Sequence, residues 1–329
     1  MDILHRSIFR QLVEPMRVSL PWLLAIITTW LTFTHSASWG AEFYKTEFSN
    51  FPVGDDQWAN RDGWRTTNLG RGWNGIVENA IPGLGRSAFL GYGRPFQNIV
   101  RVSHPLGVPV GTSLRSVLRF ECLLGLSSSV TGSDDSFALQ FYNPAGSKLA
   151  GIKFDTGAQT FGIWIDDGLT QIEATALLIT DSLQLLSLDI DFKSNRWWGY
   201  LDGTTLFENE PFTATNFARL PGAFSFDWQV ASLLSPGDNW LLIDDLSIGT
   251  PELSISVSRT AGGELALEWT ATRAASYQVQ ISSDASQWSN LPNALFVASA
   301  PRAHLRFDDS GFNVVGHRFY RVTQIETTP

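Results

Sequence analysis

The stretch Trp240-Leu241-Leu242-Ile243-Asp244-Asp245-Leu246-Ser247-Ile248 reads as a β-strand. Its period of two puts Trp240, Leu242, Asp244, Leu246 and Ile248 on one face, so an acid interrupts an otherwise apolar row. A lone buried carboxylate costs several kcal/mol, so Asp244 needs a hydrogen-bond donor, a proton or a metal. Upstream, Val117-Leu118-Arg119-Phe120-Glu121-Cys122-Leu123 alternates the same way, with Leu118, Phe120 and Cys122 on one face. From Ala41 to Gly249 such runs follow one another, broken by Gly, Pro, Asn and Asp, with no long stripe of period 3.6.

The strands predicted on this basis are 87–91, 99–102, 114–123, 136–142, 149–155, 160–165, 183–192, 196–201, 223–229 and 240–248. Asp166-Asp167-Gly168 and Asp202-Gly203-Thr204 supply turn chemistry. One weak helical pattern, 171–180, is read as a loop or a strand. Strands in this number without intervening helices predict an all-β, two-sheet antiparallel sandwich of jelly-roll type. Thr250-Pro251-Glu252 marks a seam, after which six further runs predict a smaller Ig/fibronectin-like β-sandwich over 250–329. There Leu265, Leu267 and Trp269 share one face, and Tyr277, Val279 and Ile281 another.

The first 40 residues have a different character. An uncharged apolar run, Leu20–Phe33, follows Arg6, Arg10 and Arg17 and precedes Ser36, Ala37, Ser38 and Gly40. It is shorter than the ~20 residues of a membrane-spanning helix and has the order of a secretory signal. Residues 1–40 are therefore read as a signal peptide, with Met16 an alternative start and cleavage after Ser38 or Gly40. The mature chain, 41–249 plus 250–329, is expected to be secreted, periplasmic or at the cell surface, with no membrane span.

Of 329 residues, 43% are apolar and 17% charged, enough to bury a substantial core, and the net charge of −9 disfavours nucleic acid and anionic lipid. Cys122 is the one cysteine, so no disulfide forms within the chain, and a buried, inert thiol is expected.

Three segments carry a family resemblance. Thr46-Glu47-Phe48-Ser49-Asn50-Phe51-Pro52-Val53-Gly54, Leu188–Gly203 with its Tyr200-Leu201-Asp202-Gly203 turn, and Asn239–Ile248 with Ile243-Asp244-Asp245 resemble the opening, central hairpin and closing strand of concanavalin A-like, laminin-G-type domains. Leu267-Glu268-Trp269, Tyr277–Asp284, Trp288 and Arg318–Val322 resemble the small C-terminal sandwich of exported verrucomicrobial and planctomycete-type proteins. For the first domain the resemblance implies a structural calcium between the first and last strands, at Glu47 and Asp244 with Asp245. Ordinary hydrogen bonding of Asp244 is the alternative.

Thirteen tryptophans exceed ordinary usage, and Trp58, Trp64 and Trp73 crowd a Gly-, Asn-, Asp- and Arg-rich segment read as loops. Sugar rings stack on flat aromatic faces while Asn, Asp and Arg bond their hydroxyls. Trp64, Arg65, Trp73 and Asn74 are thus candidate contacts to a polysaccharide or cell-surface glycan, with core packing as the alternative. No catalytic residue is assigned. The Glu-x-Asp-x-x-Glu strand of laminarinase-type enzymes is replaced by Leu188-Asp189-Ile190-Asp191-Phe192-Lys193, whose acids are read as a solvated strand face. The histidines have no metal-ligand spacing, and no Gly-x-Ser-x-Gly elbow occurs. The leading expectation is an exported, non-catalytic binding protein. A glycan-cleaving enzyme and an adhesive surface protein without a small ligand stay open.

Overall fold

The structure is a computed structural model that describes residues 42–66, 73–93, 95–107, 117–158, 160–165, 170–173, 182–214, 218–311 and 318–325. The expected signal over 1–40 lies outside these residues, as do His5, His35, His317, the turn at 166–168 and positions 174–180 of the weak helical pattern.

Among the described residues there is no helix, and none long and apolar enough to cross a membrane. The strands are β1 Glu42–Thr46, β2 Gly54–Asp55, β3 Arg65–Thr66, β4 Asn74–Glu78, β5 Arg86–Gly91, β6 Ile99–Pro105, β7 Val117–Leu126 and β8 Ser136–Tyr142. They continue as β9 Lys148–Asp155, β10 Thr160–Ile165, β11 Thr170–Glu173, β12 Leu183–Asp191, β13 Arg196–Leu201, β14 Thr204–Pro211, β15 Ala223–Gln229 and β16 Trp240–Gly249. The C-terminal strands are β17 Ile255–Arg259, β18 Leu265–Thr270, β19 Ser276–Ser282, β20 Ser289–Val297, β21 His304–Asp309 and β22 Phe319–Ile325.

A nine-stranded sheet runs β14-β13-β12-β7-β16-β5-β4-β2, with β1 also on β16, and a seven-stranded sheet runs β11-β10-β9-β8-β15-β6-β3. All pairings are antiparallel, which confirms the all-β sandwich expectation. The sheets meet through one apolar cluster. Phe120 of the larger sheet touches Phe141, Phe224 and Phe226 of the smaller, with ring centroids 5.7, 5.6 and 6.4 Å apart. Cys122 is fully buried here, and burial pushes its thiol well above the usual range. The C-terminal strands form two three-stranded sheets, β17-β18-β21 and β20-β19-β22, around a separate cluster that includes Trp269, Tyr277 and Val279.

The strict alternation expected for 240–248 is broken. Asp244 pairs with Leu123 but Ser247 with Glu121, so β16 carries one extra residue there, and Asp245 adopts φ +43°. Such a bulge switches faces. Leu241, Ile243, Leu246 and Ile248 all join the core, whereas Trp240, Leu242 and Asp244 point away from it.

A second correction concerns Asp189 and Asp191. Both are buried rather than solvated, because the C-terminal strands and their turns cover the outward face of β12. Trp197 and Trp198 take opposite faces and are both buried, Trp197 in the core and Trp198 beside Asp189 in register.

Candidate functional site

The outward face of the seven-stranded sheet is where chemistry gathers. In β15, Phe224, Phe226 and Trp228 point into the core, so Ser225 and Asp227 alternate outward. By the same logic β6 presents Arg101 and Ser103, and β8 presents Gln140 and Tyr142. The register aligns them in two cross-strand rows: Arg65, Ser103, Ser225, Gln140 and Gly151 in one, Arg101, Asp227, Ala138 and Lys153 in the next.

These groups form two hydrogen-bonded sets, Arg101–Asp227–Ser225 and Tyr142–Gln140, which meet where Arg101 lies against the Tyr142 ring. Arg101 Nε and Nη2 donate to Asp227 Oδ1 and Oδ2 at 2.8 and 2.6 Å. Ser225 Oγ donates to Asp227 Oδ1 at 2.8 Å, and the Tyr142 hydroxyl donates to Gln140 Oε1 at 2.8 Å. The Arg101 guanidinium stands 5.1 Å from the Tyr142 ring centre. Asp227 is fully buried, whereas the Arg101 side chain is 39% exposed. The Asp227 hydrogen bond holds the Arg101 pKa above its ordinary value. Burial, then the Asp227 charge, pushes the Tyr142 hydroxyl up to about 12, so at neutral pH it is a hydrogen-bonding group and not a base. Arg101 pairs with Asp227 and Lys153 with Asp155 at 3.4 Å, and the exposed Arg65 adds a positive charge at the edge. Such a face presents fixed donors and acceptors of the kind hydroxyl groups bond.

Sequence reasoning missed this cluster. Its signal lay in Phe224-Ser225-Phe226-Asp227-Trp228, where an acid sits on the polar parity of a strand whose other parity is entirely aromatic.

Of the residues predicted to contact ligand, only Arg65 reaches this face, exposed at its edge opposite Ser103. Trp64 is a core residue, 1% exposed, its indole N–H donating to the Tyr44 hydroxyl at 2.8 Å and its ring packed on Trp58, Phe224 and Phe226. Trp73 is also buried, under Gly93 and Phe96, and Asn74 is a buried residue of β4 reaching Asp56 at 3.5 Å. The segment read as loops thus supplies two strands and an aromatic nest, so Trp64 and Trp73 have no free ring face to offer a sugar.

The residues named for calcium fit it poorly. Asp244 Oδ2 accepts from Ser87 Oγ at 3.0 Å and Oδ1 from the Asp245 N–H at 2.9 Å. The Glu47 side chain is 58% exposed and pairs with Lys45 at 3.8 Å. Among the described residues no three His, Cys, Asp or Glu side chains converge as a metal centre would need. Burial, opposed by those two hydrogen bonds and aided by the like charges of Asp245 and Glu47, raises the Asp244 carboxyl to about 6.

No protein-family model matches the chain, and no curated protein matches it. Among solved structures it is similar to a sialidase, with 11% identity over 64% of this chain and 18% of that chain, TM-score 0.45. It is also similar to the catalytic domain of the glycoside hydrolase family 131 protein from Coprinopsis cinerea, with 13% identity over 64% of this chain and 94% of that chain, TM-score 0.43. A third likeness is to a carbohydrate-binding module from Bacillus subtilis, with 10% identity over 58% of this chain and 98% of that chain, TM-score 0.35. The chain spans less than a fifth of the sialidase.

Proposed function

We propose that this is an exported protein that binds a polysaccharide or cell-surface glycan through the outward face of its seven-stranded sheet, without cleaving it. Residues 41–249 carry the ligand and 250–329 serve as an accessory sandwich. The observation that carries the reading is the cluster of Arg101, Asp227 and Ser225 set beside Tyr142 and Gln140 on one sheet face. A sheet face that only met water would not need a fully buried aspartate locked by a two-pronged guanidinium. A face that holds hydroxyls gains from donors and acceptors fixed in advance. Hydrolysis of a glycosidic bond needs two carboxyl groups flanking it. Here one carboxylate dominates the cluster, and both of its oxygens are already engaged.

Electrophoresis through gels containing polysaccharides tests this. The wild type should be retarded by at least one glycan, and Arg101→Ala or Tyr142→Ala should lower that affinity at least about tenfold, the loss of one charge-assisted or stacked contact. Retardation unchanged in both variants would refute the site. Release of new reducing ends, abolished in Asp227→Asn, would replace binding with catalysis.

A further inference from the structure

Aromatic rings do reach solvent on the other sheet. Val77 of β4, Phe89 of β5 and Trp240 of β16 stand on the outward face of the nine-stranded sheet and, with Ala80 and Tyr92 from adjoining turns, line an open cleft of about 260 Å³. The bulge at Asp244–Asp245 is what turns Trp240 outward, into this cleft.

Tyr92 is the telling residue. Its backbone is left-handed, φ +59°, between Gly91 at +113° and Gly93 at +142°, and its side chain is 64% exposed. A bulky residue in that conformation is strained, and packing of so exposed a ring cannot offset this. The flanking glycines are fixed by close contacts. A Cβ on Gly91 would lie 2.8 Å from the Asn239 carbonyl, and one on Gly93 would lie 2.8 Å from the Trp73 ring. The turn is thus built to hold a tyrosine ring out beside Trp240. Strain of this kind concentrates where a ligand is clamped.

We infer that this cleft is a second binding site, taking the C–H face of a single neutral sugar ring against Trp240 and Tyr92. The volume lies just below the ~300–1,000 Å³ of ordinary small-molecule pockets, room for one ring and not for a long chain. No charged side chain lines it. Three of its five lining residues are aromatic, and the negative face of an aromatic ring attracts the polarised C–H groups of a sugar more than those of a hydrocarbon. Among the described residues the Trp240 indole N–H and the Tyr92 hydroxyl have no protein partner, so both are available to ring hydroxyls. The site lies on the opposite sheet from the Arg101 network, so one molecule would engage two glycan segments, and avidity would follow.

The test uses the full chain carrying Arg101→Ala, which disables the first site. Gels containing β-glucan, xylan, mannan or α-glucan serve as probes, with Tyr92→Gly or Trp240→Ala added. At least one gel should retard the Arg101→Ala protein, and Tyr92→Gly should weaken that retardation about tenfold or more. Glycine is at home at φ +59°, so Tyr92→Gly should keep or raise the thermal midpoint, separating lost binding from lost fold. The inference falls if no gel retards Arg101→Ala, if Tyr92→Gly changes nothing, or if the cleft takes up an acyl-chain probe and no sugar. If Arg101→Ala alone abolishes all binding, the first reading stands without this one. If Tyr92→Gly alone abolishes it, the cleft stands and the first site falls.

Discussion

The two outward faces of the sandwich are built around the same device and use it differently. On the seven-stranded sheet Arg101 grips Asp227 across neighbouring strands through Nε and Nη2. On the nine-stranded sheet Arg119 grips Asp189 in the same way, at 2.7 and 3.2 Å. There, however, a second guanidinium arrives from the C-terminal segment. Arg302 Nε donates to Asp189 Oδ2 at 2.9 Å, its Nη2 donates to Glu121 at 3.0 Å, and its guanidinium lies 4.6 Å from the Tyr200 ring centre. Arg273 meets Asp191 at 3.3 Å nearby. One face has its bonding capacity consumed within the chain. The other keeps its arginine open to solvent, and the open copy is the one that can bind something else.

Asp244 completes the series, a buried outward-facing aspartate with no guanidinium partner among the described residues. The three acids therefore order the effects of mutation. The largest is expected for Asp189→Ala, which takes the shared carboxylate from Arg119 and Arg302, each 25% exposed, and leaves Arg302 only Glu121. Denaturant unfolding should record a loss of ~3–5 kcal/mol, the range for breaking a buried ion pair from one side. Asp227→Ala strands one more exposed arginine and should cost less, about 1.5–3 kcal/mol, the worth of a charged hydrogen bond. Equal losses would mean that Arg302 adds nothing to Asp189, and the two faces would then differ only in solvent access.

Arg302→Ala isolates that contribution directly. Arg302 sits at φ +64°, a conformation held against its own preference by the three contacts it makes. Its removal should cost ~1–3 kcal/mol and expose the Ala298–Ala303 turn to proteolysis, while leaving glycan retardation through Arg101 unchanged. Arg302→Gly removes the same contacts but relieves the backbone, so it should be the milder of the two variants by several tenths of a kcal/mol. Retardation lost along with stability would couple the faces that the geometry separates.

How much of this was legible in the sequence depends on whether the deciding interaction was local. Strand β15 could be placed to the residue because Phe224, Phe226 and Trp228 alternate without a break. Strand β16 was found too, but its facing was half wrong. A single left-handed residue, Asp245, shifts the parity, and Asp-Asp in a strand gives no warning of it. Asp189 and Asp191 looked solvated because nothing in their own strand says that Arg302 and Arg273, far along the chain, will cover them. The tryptophans left two readings open, ligand contact and core packing, and packing is the one that holds for Trp64 and Trp73. Trp64 lies in a segment of loop-forming composition, yet that segment folds inward and Trp64 packs on Trp58 and Phe226. Composition names the residues a binding site draws on, whereas cross-strand register decides which of them meet.

Below the two salt-bridged acids, Asp244 should behave with the opposite sign. Its carboxyl is raised to about 6 in the folded protein against ~3.9 in an unfolded chain, so the native state holds the extra proton between those values. Stability from this group is complete below pH ~4 and is lost as the pH rises through ~6. Asp244→Asn keeps an acceptor for the Asp245 N–H and can donate to Ser87 Oγ, but it never ionises. It should match the wild type near pH 4 and exceed it at pH 8 by on the order of 1–2 kcal/mol, after allowance for solvent screening. A variant less stable than the wild type at pH 8 would mean that the charged form is the favoured one, held by a cation.

The smallest effect expected is at Glu47, and it discriminates well for that reason. A calcium bridging the first and last strands would draw Glu47 and Asp244 together, and Glu47→Gln would then cost as much as losing a ligand. In the geometry found, Glu47 is exposed, its one ion pair among the described residues is with Lys45 at 3.8 Å, and its charge repels that of Asp244. Exposed pairs of this kind contribute ~0–1 kcal/mol, and substitution away from buried features stays within about 0.5 kcal/mol. Glu47→Gln should therefore leave the thermal midpoint where it was, with chelator and without. A midpoint that falls on chelation in the wild type but not in Glu47→Gln would return Asp244 to the salt-bridged side of the series, its guanidinium replaced by a metal.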